Sequence, residues 1–212
     1  TLSDPSTVQG TASTSLKDTQ FEIQVSYQNI DKDVKTALQK NKEVVKKVLD
    51  IYKKDGELSV SSSGFTIDSS SYIDQMNEET KQNERVFEGY KVKNTILIKS
   101  SNSQKAGKVI DDAINNEFNS VDYIKFSPDD EQIQKAREKL LSEAVQDATK
   151  KIDLLLKNLK EEVIGVKKVY NINEQIVEPN NDAEDSFTFL SSGGENQTKL
   201  NESQKTMTIK VY

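Results

Sequence analysis

The chain has no cysteine and no histidine in its 212 residues. Absence of cysteine excludes disulfides, thiolate zinc sites and cysteine nucleophiles, and it leaves the redox compartment open. Absence of histidine removes the commonest general base and transition-metal ligand, so a Ser-His-Asp triad or a histidine-ligated zinc hydrolase is excluded. A basic block is also missing. Lys46-Lys47, Lys53-Lys54, Lys150-Lys151 and Lys167-Lys168 are separate pairs interleaved with acids, in a chain of 35 acids, 29 bases and formal charge −6. Nucleic acid and anionic membranes both ask for concentrated positive charge, so neither is an expected partner. No apolar run approaches the ~20 residues needed to cross a bilayer, and no membrane span is expected. The chain opens at Thr1 in a polar stretch, which suits a mature product whose targeting segment has been removed.

What remains is a modest core. Hydrophobic residues make up 33% and charged residues 30% of the chain, a balance low enough to raise disorder as an alternative. The apolar residues nevertheless fall into periodic segments. The length suits one domain, or two small lobes sharing a core. The reading adopted is a flexible segment over 1–6 and a single domain over 7–212, with a long polar loop at 178–205.

Thr7 to Ser15 reads as a strand broken or bulged at Gly10. Phe21, Ile23, Val25 and Tyr27 alternate with polar residues, the mark of a half-buried strand. Asp31 or Asp33 caps a helix to about Lys54, with Val34, Ala37, Leu38, Val44, Val45, Val48, Leu49 and Tyr52 inward. Extended segments over 58–72 and 86–98 suggest a hairpin with its loop near 74–83. Ser103 begins a shorter helix carrying Ala106, Val109, Ile110, Ala113 and Ile114. A strand at 121–126 follows, then a long helix, a strand-like run through Val163, Val166, Val169, Tyr170 and Ile172, and a last strand with Met207, Ile209 and Val211. The order β-β-α-β-β-α-β-α-β-loop-β lacks the regular beat of a doubly wound sheet. It predicts an α+β fold with a mixed or mostly antiparallel sheet and helices packed on one side.

The long helix carries the most information. Ser127 and Asp130 form a capping pattern, Pro128 suits a first helical position, and Asp129 and Asp130 fill the first turn. Apolar or small residues then recur from Ile133 to Leu159, a stripe of about eight turns and on the order of 45 Å.

Four segments resemble the SIMPL-domain family: VQGTAST near the start, FEGYKVKNTILIKS at 87–100, KAGKVIDDAINNEFNSVDYIKFSPDDEQ at 105–132, and AREKLLSEAVQDATKKIDLLL at 136–156. In the last, Ala144, Asp147, Ala148 and Lys151 keep the family's A-x-x-D-A-x-x-K spacing, while Ile152 stands where the family has Ala. The chain departs from the family at Lys17-Asp18-Thr19, where Pro-Asp is usual, and at Asn158-Leu159, where Leu-Gly is usual. The resemblance implies a secreted, periplasmic or outer-membrane-associated cell-envelope protein. It also implies homo-oligomers of ring or channel type in some members, and a link of some members to stress tolerance. It implies no catalytic motif.

The acids invite comparison with catalytic and metal sites. Asp111-Asp112 and Asp129-Asp130-Glu131 offer paired carboxylates for acid/base work or a hard cation, yet acids at a helix start already serve capping and the macrodipole. Asp147 and Lys151 are spaced as an ordinary i,i+4 ion pair. The oxygen-rich run 180–185 lacks the spacing of a calcium loop. Asn196-Gln197-Thr198 and Asn201-Glu202-Ser203 are sequons in an Asn-rich loop. Phe87, Tyr90, Tyr123 and Phe126 fall on strands, where aromatics more often serve as core or cross-strand partners than as ligand platforms. No residue is assigned a catalytic, cofactor-binding or metal-binding role, and no cofactor is expected. The expected function is that of a non-enzymatic, extracytoplasmic interaction or scaffold module that forms homo-oligomers and meets other envelope proteins. The alternative is a small-molecule or peptide binding module with a cleft between sheet and helices. An enzyme working with carboxylates and lysines is the third reading.

Overall fold

The computed structural model describes residues 7–159, 169, 171–177 and 204–212. In chain order it contains β1 (Gly10–Lys17), β2 (Gln20–Asp31), α1 (Val34–Tyr52), β3 (Ser59–Met76), β4 (Asn83–Ser100), a 3-10 turn (Ser103–Lys105), α2 (Ala106–Asn115), β5 (Ser120–Ser127), α3 (Asp130–Leu159), β6 (Ile172–Val177) and β7 (Gln204–Val211). The α+β class, the antiparallel pairing and, among the described residues, the order of helices and strands agree with the sequence reading. The strands, however, divide into two sheets, β3-β4-β2-β5 and β1-β7-β6. The physical reason is two separate apolar cores, each with its own helical cover. Two compact units result: β2 to β5 with α1 and α2, and β1, β6 and β7 with α3.

In the four-stranded unit, Phe21, Ile23, Val25 and Tyr27 of β2 are all buried, together with Val92, Ile96 and Ile98 of β4. Strict alternation sends these side chains to one face, and α1 and α2 cover it. Asp33 caps α1, its carboxylate accepting from Thr36 N at 2.8 Å. The inward stripe is Ala37, Val44, Val45, Val48 and Tyr52, with one intruder, Asn41. The Asn41 amide, 1% exposed, donates to Tyr27 O at 3.3 Å, Val92 O at 3.2 Å and Asn29 Oδ1 at 3.0 Å. It therefore ties α1 to both central strands, where an apolar residue would leave those acceptors without it.

In the three-stranded unit, β7 lies between β1 and β6, pairing Gly10 with Val211 and Ile172 with Val211 on opposite sides. Met207, Ile209 and Val211 are buried against Leu16, Leu140 and Ala144. Arg137 of α3 clasps Glu174 of β6 through two hydrogen bonds at 2.6 and 2.7 Å. A near-buried pair, Lys205 and Asp18, lies 3.7 Å apart.

The start of α3 differs from the capping pattern read in the sequence. Asp129, not Ser127, is the cap: its carboxylate accepts from Gln132 N at 2.7 Å, and the helix begins at Asp130. Pro128 therefore sits before the cap, with Asp130 and Glu131 in the first turn. A Ser127 cap would place Pro128 inside the helix, yet Pro128 belongs to the strand-to-helix corner.

The expected strand around Val163 lies mostly outside the described residues. The strand that is described, β6, starts where that run ends, at Ile172. Of the expected loop at 178–205, residues 178–203 lie outside the described residues, and Gln204 and Lys205 belong to β7.

Candidate functional site

Among the described residues, the longest strands carry an exposed extension. β3 and β4 have 18 residues each, but β2 has 12 and stops at Asp31, opposite Tyr90. Beyond that point, among the described residues, Ser71–Met76 and Asn83–Gly89 pair only with each other. They form a two-stranded arm on the order of 20 Å long.

Gly89 makes the departure possible. Its φ is +152°, a conformation that disfavours side chains, and a Cβ there would stand 2.6 Å from Asp31 O. The register shifts around Ser71 at the same place, as a bulge does. The irregularity changes the side-chain alternation, so that Phe87 and Tyr90, three residues apart, contact edge to face at 5.6 Å. Tyr72 meets Phe87 at 5.7 Å, and the Arg85 guanidinium lies 4.8 Å from the Tyr72 ring centre. Each aromatic contact is worth about 0.5–1.5 kcal/mol and the cation–π contact about 0.5–1 kcal/mol, which supports a ribbon that would be marginal alone.

The arm has a defined tip. Asn77 N donates to Gln82 O at 2.8 Å, Lys81 N donates to Asn77 O at 2.9 Å, and Lys81 takes φ 56°. The Asn77 carboxamide oxygen accepts from Glu79 N and Thr80 N, while its nitrogen donates to Glu84 at 2.9 Å. Apolar surface is left open along the arm and the adjoining edge strand. Tyr72 is 45%, Ile73 46%, Met76 62% and Phe65 50% exposed. A patch of this kind on a projecting element marks an interaction surface more readily than a packing surface.

The residues singled out from sequence distribute differently. Asp112 pairs with Lys108 at 2.6 Å along α2. Asp129 caps α3, and Glu131 pairs with Lys135 at 2.6 Å. Among the described residues no group of three or more acids is placed to hold a metal ion. The run 180–185 and both sequons lie outside the described residues. Tyr123 donates to Glu22, and Phe126 packs at the margin of the larger core. Phe87 and Tyr90 join the arm's ladder.

Asp147 and Lys151 do more than form a helical ion pair. The Asp147 carboxylate accepts from Thr11 N at 2.9 Å and from Lys151 Nζ at 2.6 Å, and Lys151 Nζ also donates to Gln9 O at 3.1 Å. The Lys151 ammonium, then the Thr11 N–H, holds the Asp147 carboxyl below its ordinary range. Ala144 and Ala148 are small where Gly10 presses on the helix. The Ala144/Asp147/Ala148/Lys151 spacing thus anchors a strand to a helix.

Two polar clusters remain in the four-stranded unit. On the β2 face opposite α1, Ser26 donates to Asp122 and lies 2.9 Å from Thr95 Oγ1, with Ser120 bonded to Asp122 at 2.7 Å and Lys93 3.6 Å away. Burial raises the Asp122 pKa, but the Ser26, Ser120 and Gln24 hydrogen bonds and the Lys93 charge outweigh it, and the net shift is downward. Ser26 is fully buried, with its hydroxyl committed to these partners. The hydroxyl thereby links β2 to β4 and β5. The second cluster borders a small pocket beside Tyr52, Leu58 and Val109, which Asp55 and Lys105 help to line. There Lys105 bridges Asp55 at 2.7 Å and Glu57 at 3.0 Å, the latter also held by Asn102 at 3.1 Å.

The arm was missed by sequence reasoning, although Gly89 inside an alternating run is a signal for a bulge. No curated protein matches the chain significantly. The SIMPL family profile, described as a protein of unknown function (DUF541), matches residues 6–212. The chain therefore belongs to the SIMPL family.

Proposed function

We propose that this protein is a non-enzymatic interaction module that associates with copies of itself through the arm formed by β3 and β4. The observation that carries the reading is the pairing of Ser71–Met76 with Asn83–Gly89 beyond the end of β2, with Tyr72, Ile73 and Met76 open to solvent. Keeping such a ribbon ordered and apolar in water costs stability unless a partner covers it in use. The small-molecule reading has less to support it. The pocket beside Tyr52 is small, and the Lys105 and Asp55 charges that line it already satisfy each other. An extracytoplasmic setting in the cell envelope, with other envelope proteins as further partners, belongs to the same proposal. Its support is the resemblance in the four segments named above.

Sedimentation velocity over a concentration series tests the proposal. Replacing 74–85 by a two-residue turn is expected to abolish self-association while the rest of the four-stranded unit stays folded. A chain that remains monomeric throughout the series, before any shortening, overturns the proposal.

A further inference from the structure

Helix α1 gathers lysines that the sequence scatters. Residues 32–54 hold eight lysines against three acids, a net +5 in a chain whose total is −6. Lys35, Lys42, Lys46 and Lys53 recur at spacings of seven, four and seven, and all are exposed. At 100° per residue they fall within about 40° of each other, in a strip about 27 Å long. The buried stripe of Ala37, Val44 and Val48 lies on another side of the helix. Lys40, Lys47 and Lys54 make a second row, in which Lys47 reaches Glu117 at 3.8 Å.

The arm has the opposite charge. Residues 71–89 hold five acids and two bases, a net −3. Asp74, Glu78, Glu79 and Glu84 are all exposed. The arm, about 20 Å long before its tip, fits within the roughly 27 Å length of the lysine strip.

The arm runs away from the helix of its own chain. β2 runs toward Asp31, and the arm continues past that end, where Gly89 meets Asp31. α1 begins at Val34 and turns back over β2, with Ala37 O bonded by Asn29 and Asn41 bonded to Tyr27. Arm and helix therefore lead away from each other, and the lysine strip is open to a second molecule.

We infer that the acidic arm of one copy docks along the lysine face of α1 of a second copy. This inference rests on the arm-mediated self-association proposed above and names its receiving surface. The docked pair joins two different patches, so it propagates to a ring or an open chain, or closes by reciprocal exchange in a two-fold dimer. Charge brings the partners together and sets the register, while Tyr72, Ile73 and Met76 supply the apolar contact. Screening weakens such an interface as salt rises.

The experiment is a charge swap read by sedimentation velocity at low and high salt, with far-UV circular dichroism as the check on folding. Lys42→Glu/Lys46→Glu/Lys53→Glu is expected to raise the dissociation constant about tenfold or more, as is Glu78→Lys/Glu79→Lys/Glu84→Lys. Mixing the two reversed proteins is expected to restore association to within about threefold of the starting protein. The neutral set Lys42→Gln/Lys46→Gln/Lys53→Gln gives a milder loss with less risk to the fold. If the arm-shortened protein dissociates but neither lysine set weakens association, the arm reading stands and this inference is overturned. If the unaltered protein is monomeric at every concentration, both are overturned.

Discussion

The carbonyl oxygen of Ala144 stands 1.9 Å from the point where a Cβ would emerge from Gly10, so β1 rests on α3 with no room for a side chain. Ala148 N and Cβ are also within 2.8 Å of that point. The obstacles are helix backbone and a short side chain, and neither can swing aside. Gly10→Ala is therefore expected to cost about 2–3 kcal/mol in urea denaturation, while Gly56→Ala, with nothing within 4 Å, stays near neutral. Equal stability of the two variants would refute the close packing of β1 on α3.

Asn41→Leu fills similar volume but removes the donor to Tyr27 O, Val92 O and Asn29. The expected loss is about 2–4 kcal/mol, because carbonyls stay buried without that partner. Asn29→Ala, which also removes the bond to Ala37 O, should couple to it in a double-mutant cycle. Additive effects would show that the two amides do not act as a network.

Acid should destabilise the fold. Asp147, Asp55, Asp33 and Glu174 all have lowered pKa values, held down first by Lys151, by Lys105, by the Thr36 N–H and by Arg137, respectively. A carboxylate depressed in the folded state binds protons less readily there than in the unfolded chain. Its contribution is full above the unfolded pKa, and it is lost as pH falls through the folded value. The melting temperature is expected to hold from neutral pH down to the ordinary carboxylate range and to drop below it. A melting temperature that rises on acidification through that range would contradict the assigned partners.

Tyr52 should ionise only on unfolding. Its hydroxyl donates to Val109 O at 2.6 Å, and burial, with Asp112 nearby, pushes its pKa up. During alkaline titration the folded protein is expected to show the same tyrosinate absorbance as Tyr52→Phe and to gain the further chromophore only when it denatures. Early ionisation of all seven tyrosines would rule out this burial.

Phe87→Ala should loosen the arm without melting the sheet. Phe87 contacts both Tyr72 and Tyr90, so amides of 71–76 and 83–88 are expected to exchange faster while those of β2 keep their protection. Hydrogen exchange followed by mass spectrometry reads this directly. Unchanged exchange in the arm would mean that the ladder does not order it.

Much of this architecture was legible in the sequence because local signals and tertiary environment agree. Phe21 to Tyr27 and Met207 to Val211 alternate because one face of each strand is buried, and Asp33 reads as a cap because it is one. Asn41 was illegible, since a polar residue on an apolar stripe shows its worth only when the carbonyls opposite are known. The stripe on α3 was read too far. An eight-residue β1 spans about 27 Å and a 30-residue helix about 45 Å, so Leu154, Leu155 and Leu159 outrun the sheet and are exposed. The arm was hidden for a related reason. Strand periodicity is the same whether a pair is flanked by other strands or stands alone, and here the excess length of β3 and β4 over β2 is what separates the two.

The position of β7 between β1 and β6 has a consequence for synthesis. β1 emerges early, but the strand that pairs with it ends at Val211. At typical elongation rates of about 5–20 residues per second, β1 waits about 10–40 s with its edges unsatisfied. The elements of the four-stranded unit, lying between Gln20 and Ser127, are all translated during that wait. The three-stranded unit therefore cannot close before β7 is available, after every element of the four-stranded unit has been made.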